Sequence, residues 1–394
     1  MAQWKKLRLG EVISTNAISY SKKEEWDFVN YLDTGNLTEN VVAKIQRIDL
    51  NVEKLPSRAR RKVKYNSILY STVRPNQRHY GIIKEQPKNF LVSTGFIVID
   101  VDESKVDADF LYYFLSQDSL VELLQSIAEQ SVSAYPSIKA IDIENLEVEF
   151  PPLVEQKRIS SILGTLSDKM QLNTQINKNL AQQAQLLFTD RFVTNNYTVA
   201  QEAKIGDICK CILGGTPSRA KAEYWGGTIP WINSGEINRF RITSPSELIT
   251  QSGLDHSATK MLPSKTTVLA ITGATLGQVS LLEIDACANQ SVVGIIPNDT
   301  LPYEFIYPFI KAKINELISH QTGGAQQHIN KQNVDSLPVS IPTKDILHDF
   351  VTLVSPMYSM IASNCFENMR LENMRDSLLP QLMSGELDVS DIDI

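Results

Sequence analysis

Apolar residues recur along two stretches of the chain at alternate steps of four and three. From Ile159 the series runs Ile159, Leu163, Leu166, Met170, Asn173, Asn177, Leu180, Ala184, Leu187. Displaced by 191 residues it runs Phe350, Val354, Met357, Ile361, Asn364, Asn368, Leu371, Arg375, Leu378. A period of about 3.5 residues is the seam of a helix packed lengthwise on another helix. At ~1.5 Å per residue, a helix of roughly 35 residues would be about 50 Å long. Both seams carry the same two-asparagine interruption. If the helices lie antiparallel, Asn173 and Asn364 fall at opposed midpoints, with Asn177 and Asn368 in the same polar layer, which lowers stability but fixes register. The plainer alternative is four asparagines at the seam edge, in contact with water.

The 191-residue displacement also superposes "IKAIDIENLEVEFP", Ile138 to Pro151, on "INKQNVDSLPVSIP", Ile329 to Pro342. Each reads as a polar turn followed by an alternating strand that stops at proline. Farther upstream the offset drifts to between 195 and 200, pairing "FLYYFL" with "FIYPFI" and "SILYSTVR" with "TTVLAITG". The chain is therefore duplicated. Short β runs, "SILYSTV", "FIVIDV", "TTVLAIT" and "SVVGIIP", alternate with loops rich in Gly, Asn, Pro and Ser, and with predicted helices at Ala108 to Ala128 and Tyr303 to His320. The expected class is α+β, with two lobes at 1–152 and 196–342, a first spacer helix at 153–195, and a second spacer helix with a C-terminal tail at 343–394. Loops rather than elements should carry specificity.

Composition narrows the function. The 394 residues suffice for two or three domains. No stretch approaches the ~18 apolar residues that span a bilayer and no signal peptide is evident, so a cytoplasmic protein without membrane association is expected. Cys209, Cys211, Cys287 and Cys365 lack zinc spacing, and no metal site is assigned. The net charge of -7 argues against nucleic acid, yet residues 1–100 hold 17 Lys and Arg against 10 Asp and Glu, while the rest hold 21 against 35. Within "KLPSRARRKVK", the cations Arg58, Arg60, Arg61 and Lys62 form either a phosphate-binding run or a solvated face.

Enzymatic signatures are missing: there is no phosphate loop, no G-x-G-x-x-G and no H-E-x-x-H. "VIDVDESK" puts Asp100, Asp102, Glu103 and Lys105 near a strand end, the ingredients of a metal-dependent nuclease. Alternation sends those acids to both faces, so a surface turn is the better reading. The segment "GGTPSRAKAEYWGGTIPWINSGEI", Gly214 to Ile237, instead describes a stiff loop anchored by Tyr224, Trp225 and Trp231. Around those anchors stand polar side chains of the kinds that meet a duplex: Thr216, Ser218, Arg219, Ser234, Glu236, Arg239 and Arg241. A loop pinned by tryptophan also needs no ligand, and residue types alone leave that choice open.

"GGTPS…YWGGTIPWINSGEI" with "LAITGATLGQV" and "ANQSVVGI" resembles a target recognition domain of the specificity (S) subunits of type I restriction-modification systems. "YLDTGNLTEN", "ILYSTVRPNQRHYGII" and "LVSTGFIVI" resemble another variety of that domain, while "PPLVEQKRISSIL" and "MRDSLLPQLMSGELDV" resemble the helical regions of the same family. The likeness runs over essentially the whole chain. It implies a non-catalytic reader of a split double-stranded DNA target, built from two pseudo-symmetric lobes separated by an antiparallel, coiled-coil-like spacer. It further implies docking of two modification (methyltransferase) subunits, which bind S-adenosylmethionine, and of restriction (motor-nuclease) subunits using ATP and Mg²⁺. No cofactor is expected in this chain. Candidate DNA contacts are Arg58, Arg60, Arg61, Lys62, Arg74, Asn76, Arg78, His79 and Tyr80 in the first lobe, and Thr216, Ser218, Arg219, Ser234, Glu236, Arg239, Thr272 and Thr275 in the second. Gln326 and Gln327 are candidate adenine readers. Lobes on one face of a duplex would be separated by about one helical turn, ~34 Å. Three rivals remain: a specificity subunit of another methyltransferase-linked defence system, a stand-alone nuclease, and a helical scaffold binding only proteins.

Overall fold

The computed structural model describes residues 4–131, 135–319, 328–390 and 392. The chain forms two compact units, Met1–Asp168 with Glu372–Ile394, and Lys169–Leu371.

In the first unit, strands Ile13–Thr15, Phe96–Val101, Ile68–Ser71 and Tyr80–Ile82 make an antiparallel sheet in that spatial order. Phe96–Val101 and Ile68–Ser71 are buried along their whole length, which is why they read as mostly apolar runs, interrupted by Asp100 and closed by Ser71, rather than alternating ones. A second sheet runs Gln46–Asp49, Phe28–Leu32, Phe90–Ser93, Ala59–Arg61, its middle pair parallel. Lys5–Arg8 pairs with Glu147–Phe150, and helices Ala108–Ser116 and Asp118–Glu129 cover the core.

The second unit repeats the order of these sheets; the first unit's hairpin, Leu37–Thr38 with Val41–Val42, has no counterpart among its described strands. Its first sheet is Lys210–Leu213, Val292–Ile296, Thr267–Ala270, Val279–Leu281; its second is Glu247–Ile249, Trp225–Ile232, Ala286–Ala288, Met261–Leu262, again with a parallel middle pair. Val199–Lys204 pairs with Pro338–Pro342. The polar turn before each closing strand is a one-turn helix, Ala140–Glu144 and Lys331–Asp335, at the 191-residue displacement. The predicted helix from Ala108 is broken in two at Gln117, whereas its counterpart Tyr303–Ser319 is continuous.

The long helices are Leu153–Thr189, ending in a π-helical turn at Asp190–Thr194, and Lys344–Met383. In the second unit their contacts descend on one helix as they rise on the other, so they run antiparallel. Asn173 Nδ2 donates to Asn368 Oδ1 at 2.9 Å and Asn364 Nδ2 to Asn177 Oδ1 at 2.9 Å. The asparagines thus form a bonded layer, not a wet edge, but the expected opposition of Asn173 and Asn364 is corrected to two crossed pairs. Those pairs are one contact made twice, each becoming the other under the 191-residue displacement. Asn173 and Asn177 are buried, Asn364 and Asn368 half-buried, and Asn173 also donates to Glu367. At the end of the first seam Phe188, not Leu187, is the buried residue, as a 3.6-residue helix drifts past a 3.5-residue count, while early in the second seam Tyr358 is buried beside half-buried Met357 and Ile361 keeps to the count. In the first unit Ile159 and Leu163 pack into the core with Leu382, Met383 and Val389. No described helix is long and apolar enough to cross a membrane.

Candidate nucleic-acid interface

In the first lobe the loop between strands Ile68–Ser71 and Tyr80–Ile82 is a one-turn helix, Pro75–Gln77, seated by buried Pro75. Arg74 and Arg78 flank it, both left-handed, at φ +49° and +55°. Arg74 is exposed, its guanidinium 5.2 Å from the Tyr135 ring centre. Arg78 pairs with Asp118 at 2.7 Å and with Glu39 at 3.6 Å, and the Asp118 carboxylate holds its pKa above the usual arginine value. Asn76 is exposed, its amide donating to Gln125. His79 Nδ1 lies 2.7 Å from the Leu37 carbonyl and 3.1 Å from Thr38 Oγ1, which ties the ring to the adjoining hairpin. Tyr80 stacks on Tyr70 and is buried, so it is a core residue and is withdrawn as a DNA contact.

The basic run divides as well. Arg58 and Arg60 are exposed. Lys62 is bonded to Glu24 beside Trp26, and Arg61 is half-buried with Nη1 lacking a partner, burial lowering its pKa. Of the four cations, only Arg58 and Arg60 stand open to solvent or to a phosphate.

In the second lobe, Trp231 Nε1 donates to the Gly215 carbonyl at 3.1 Å and Trp225 Nε1 to the Ser218 carbonyl at 3.3 Å, the two indoles meeting edge to face. A Cβ on Gly214 would stand 2.1 Å from the Asn289 carbonyl oxygen, so this turn requires glycine. The result is a fixed platform. The Arg219 guanidinium carbon lies 3.6 Å from the Trp225 ring centre while its fork engages Glu247, and more than half of its side chain stays exposed. Ser218 is exposed; Thr216, half-buried, donates to Gln290. Ser234 opens a short helix capped by Asn233, whose Oδ1 accepts from the Gly235 amide at 2.7 Å. Arg239, partly exposed, pairs with Glu236 at 3.2 Å.

Two candidates in this lobe are corrected. Glu236 is buried, accepting from the Asn233 amide and Ser246 hydroxyl, so it holds the loop together. Arg241, its side chain 1 % exposed, pairs with Glu283 at 3.4 Å and donates to Tyr307. Thr272 and Thr275 are half-buried, the Thr275 hydroxyl donating to the Thr272 carbonyl at 3.4 Å. Gln326 and Gln327 lie outside the described residues. Glu247, Gln290 and Tyr135 support the loops and carry no local sequence signal, since nothing local marks a side chain whose partner is distant in sequence.

The acidic turn does not converge. Asp100 is buried and accepts from Ser67, Asp102 holds Ser104 and Lys105, and Glu103 reaches Asn66. Among the described residues no cluster of His, Cys, Asp and Glu forms a metal site. Each lobe therefore presents polar loops on a rigid frame, and the two sets of loops differ.

A family model described as the type I restriction modification DNA specificity domain matches the chain twice, over residues 1–182 and 200–364, one lobe and part of its following helix each time. The chain belongs to this family. It is a DNA-specificity subunit of a type I restriction-modification system, a non-catalytic part of such complexes. It is 27% identical to the HindI specificity subunit of Haemophilus influenzae, over 98% of this chain and 100% of that protein. It is 23% identical to the MjaIX specificity subunit of Methanocaldococcus jannaschii, over 98% and 93%. Among solved structures, the type I S subunit from M. genitalium shares the fold, with a TM-score of 0.59 at 14% identity over 97% of this chain and 96% of that one. A specificity subunit works with DNA and with other subunits of its system.

Proposed function

We propose that this specificity subunit reads a bipartite duplex target, one lobe to each half. Its long helices dock two modification subunits that carry S-adenosylmethionine and methylate adenine; restriction subunits using ATP and Mg²⁺ join the same assembly, in the cytoplasm. The observation that carries this reading is a single topology present twice with unlike residues in corresponding loops, which suits two unlike half-sites on one molecule. Arg58, Arg60, Arg74, Asn76, Ser218, Arg219 and Arg239 are the exposed polar groups of those loops best placed for backbone and base contacts. With a net charge of -7, the chain neutralises few phosphates by itself.

The test is methylation mapping of a genome after expression of this chain with its modification subunits. The expected product is a two-part motif with unlike halves, and exchanging residues 1–152 for another lobe changes one half only. A continuous motif, or change in both halves, defeats the proposal. DNA binding by the isolated chain should be weak and salt-sensitive, and should tighten when the modification subunits are added.

A further inference from the structure

The loop that carries Arg74 occurs in both lobes. Eight residues, 72–79, join strands Ile68–Ser71 and Tyr80–Ile82; eight residues, 271–278, join Thr267–Ala270 and Val279–Leu281. The third residue of each loop accepts a backbone hydrogen bond from the sixth, Gln77 N to Arg74 O at 2.9 Å and Leu276 N to Gly273 O at 3.1 Å. The second residue forms the same isolated bridge, Val73 to Ser137 and Thr272 to His328. The third and seventh residues are left-handed in both lobes. In the second lobe they are Gly273 and Gly277, at φ +69° and +84°; in the first they are Arg74 and Arg78.

Left-handed backbone disfavours any residue with a Cβ, and glycine builds this same path in the other lobe. The loop's own geometry therefore gives no reason for arginine at either position. Each must be accounted for by what its side chain does. For Arg78 the structure supplies the answer: its guanidinium is held by Asp118 and Glu39, so its charge is neutralised within the lobe. Arg74 is different. Its backbone amide is bonded to the Pro136 carbonyl at 3.0 Å, its side chain is exposed beside the Tyr135 ring, and no described carboxylate pairs with it.

We infer that Arg74 is a specificity-determining residue of the first lobe, its guanidinium fork reading a guanine edge, and that Arg78 is the positioning residue that fixes the loop beneath it. A planar fork on a fixed backbone, steadied by an aromatic face, matches the paired acceptors O6 and N7 of guanine. This inference rests on the bipartite reading proposed above and adds one residue and one base to it.

The experiment uses the complex with modification subunits and compares methylation rates on duplexes carrying each single base-pair change in the first half-site, for the wild type, Arg74→Gly, Arg74→Lys and Arg78→Gly. Arg74→Gly installs the second lobe's residue and should fold at least as well. It is expected to lose about 5- to 150-fold of discrimination at one G·C pair and none in the second half-site. Arg74→Lys keeps the charge without the fork and should lose discrimination at the same pair. Arg78→Gly should show a smaller loss, again confined to that pair, whereas simple destabilisation would leave every base preference intact. Unchanged discrimination in Arg74→Gly overturns the inference, as does loss at an A·T pair. It is also overturned if affinity falls uniformly on all sequences while the salt slope drops by about 1, the signature of a phosphate contact. A wild-type complex with no two-part motif would instead defeat the underlying reading, so the two failures are distinguishable.

Discussion

The two lobes share one topology yet are fastened to the long helices by different chemistry. In the first unit the contacts are neutral: Gln156, buried, accepts from the Asp107 amide at 2.9 Å and donates to the Pro151 carbonyl, and Tyr113 meets Ser167 at 3.1 Å. In the second unit Glu283 is shared by Arg241 and Lys265, and the Arg241 guanidinium lies 4.6 Å from the Tyr307 ring and 5.7 Å from Tyr358 on the second long helix. Glu304 accepts from Ser355 on the same helix. The second unit keeps a neutral contact too, Gln185 Nε2 donating to the Pro308 carbonyl at 3.2 Å, so a fold can keep its strand order while buried ions are added to its attachments. The ionic version is the more fragile one, because charges taken out of water depend on each other.

Glu283→Gln should break that asymmetry hardest. Leaving Arg241 uncompensated is expected to cost roughly 3–5 kcal/mol, and at about 2–4 °C per kcal/mol for a unit of this size the Tm of the second unit should fall by about 6–20 °C. Calorimetry of the whole chain checks this. Replacing Arg241, Lys265 and Glu283 together by apolar residues of similar size should recover most of the loss. If the triple variant melts as low as the single one, the argument from unpaired charge is wrong.

Next in size is the amide layer. Asn173→Leu removes the donor to Asn368 and is expected to cost about 1–3 kcal/mol. Replacing Asn173 and Asn364 together would orphan one member of each crossed pair, so only replacement of all four with leucine should stabilise the helices. That gain should come with loss of unique alignment, detectable as several cross-linked products between cysteines placed along the two helices.

In the first unit, Ser167→Ala should cost only about 0.5–1.5 kcal/mol, the worth of one neutral hydrogen bond. A loss as large as that of Glu283→Gln would erase the contrast between the lobes.

The smallest effect is kinetic. Burial pushes the Cys365 thiol up to about 11, and Asn177 Nδ2 lies 3.4 Å from its sulfur. With its folded pKa raised, the thiol stays protonated at neutral pH and gains thiolate only as pH climbs toward that value. Compared with an ordinary thiol it should alkylate about 100-fold more slowly at pH 7.5, and Asn177→Ala, which removes a donor that favours the thiolate, should slow the reaction further.

Much of this arrangement is legible in the residues themselves. The seam, its two-asparagine interruption and the 191-residue displacement follow from side-chain periodicity, because a helix face and a repeated hydrophobic pattern are local properties. Which asparagine faces which is not local: it depends on the axial stagger of two helices, which periodicity leaves free, and so the midpoint pairing was replaced by crossed pairs. Tyr80, Glu236 and Arg241 show the same limit in the candidate site. Their residue types suit DNA, but whether a side chain on a short strand or loop faces outward is decided by elements far away in the chain, here Tyr70, Asn233 with Ser246, and Glu283. Arg219 was identified by type, while its Trp225 support and Glu247 partner emerge only once the platform has folded.

The seventh residue of the eight-residue loop has a practical corollary. A Cβ on Gly277 would stand 2.5 Å from Ile318 of the continuous helix Tyr303–Ser319, whereas Arg78 fits because the matching helix is interrupted at Gln117 and offers Asp118. Grafting the short loop alone from the first half into the second would press a long side chain against the Cδ1 tip of half-buried Ile318, which must turn aside, and would part Arg78 from Asp118. Anyone recombining such halves to obtain new targets must move the underlying helix along with the loop, so the smallest transplantable part is larger than the segment that touches the ligand.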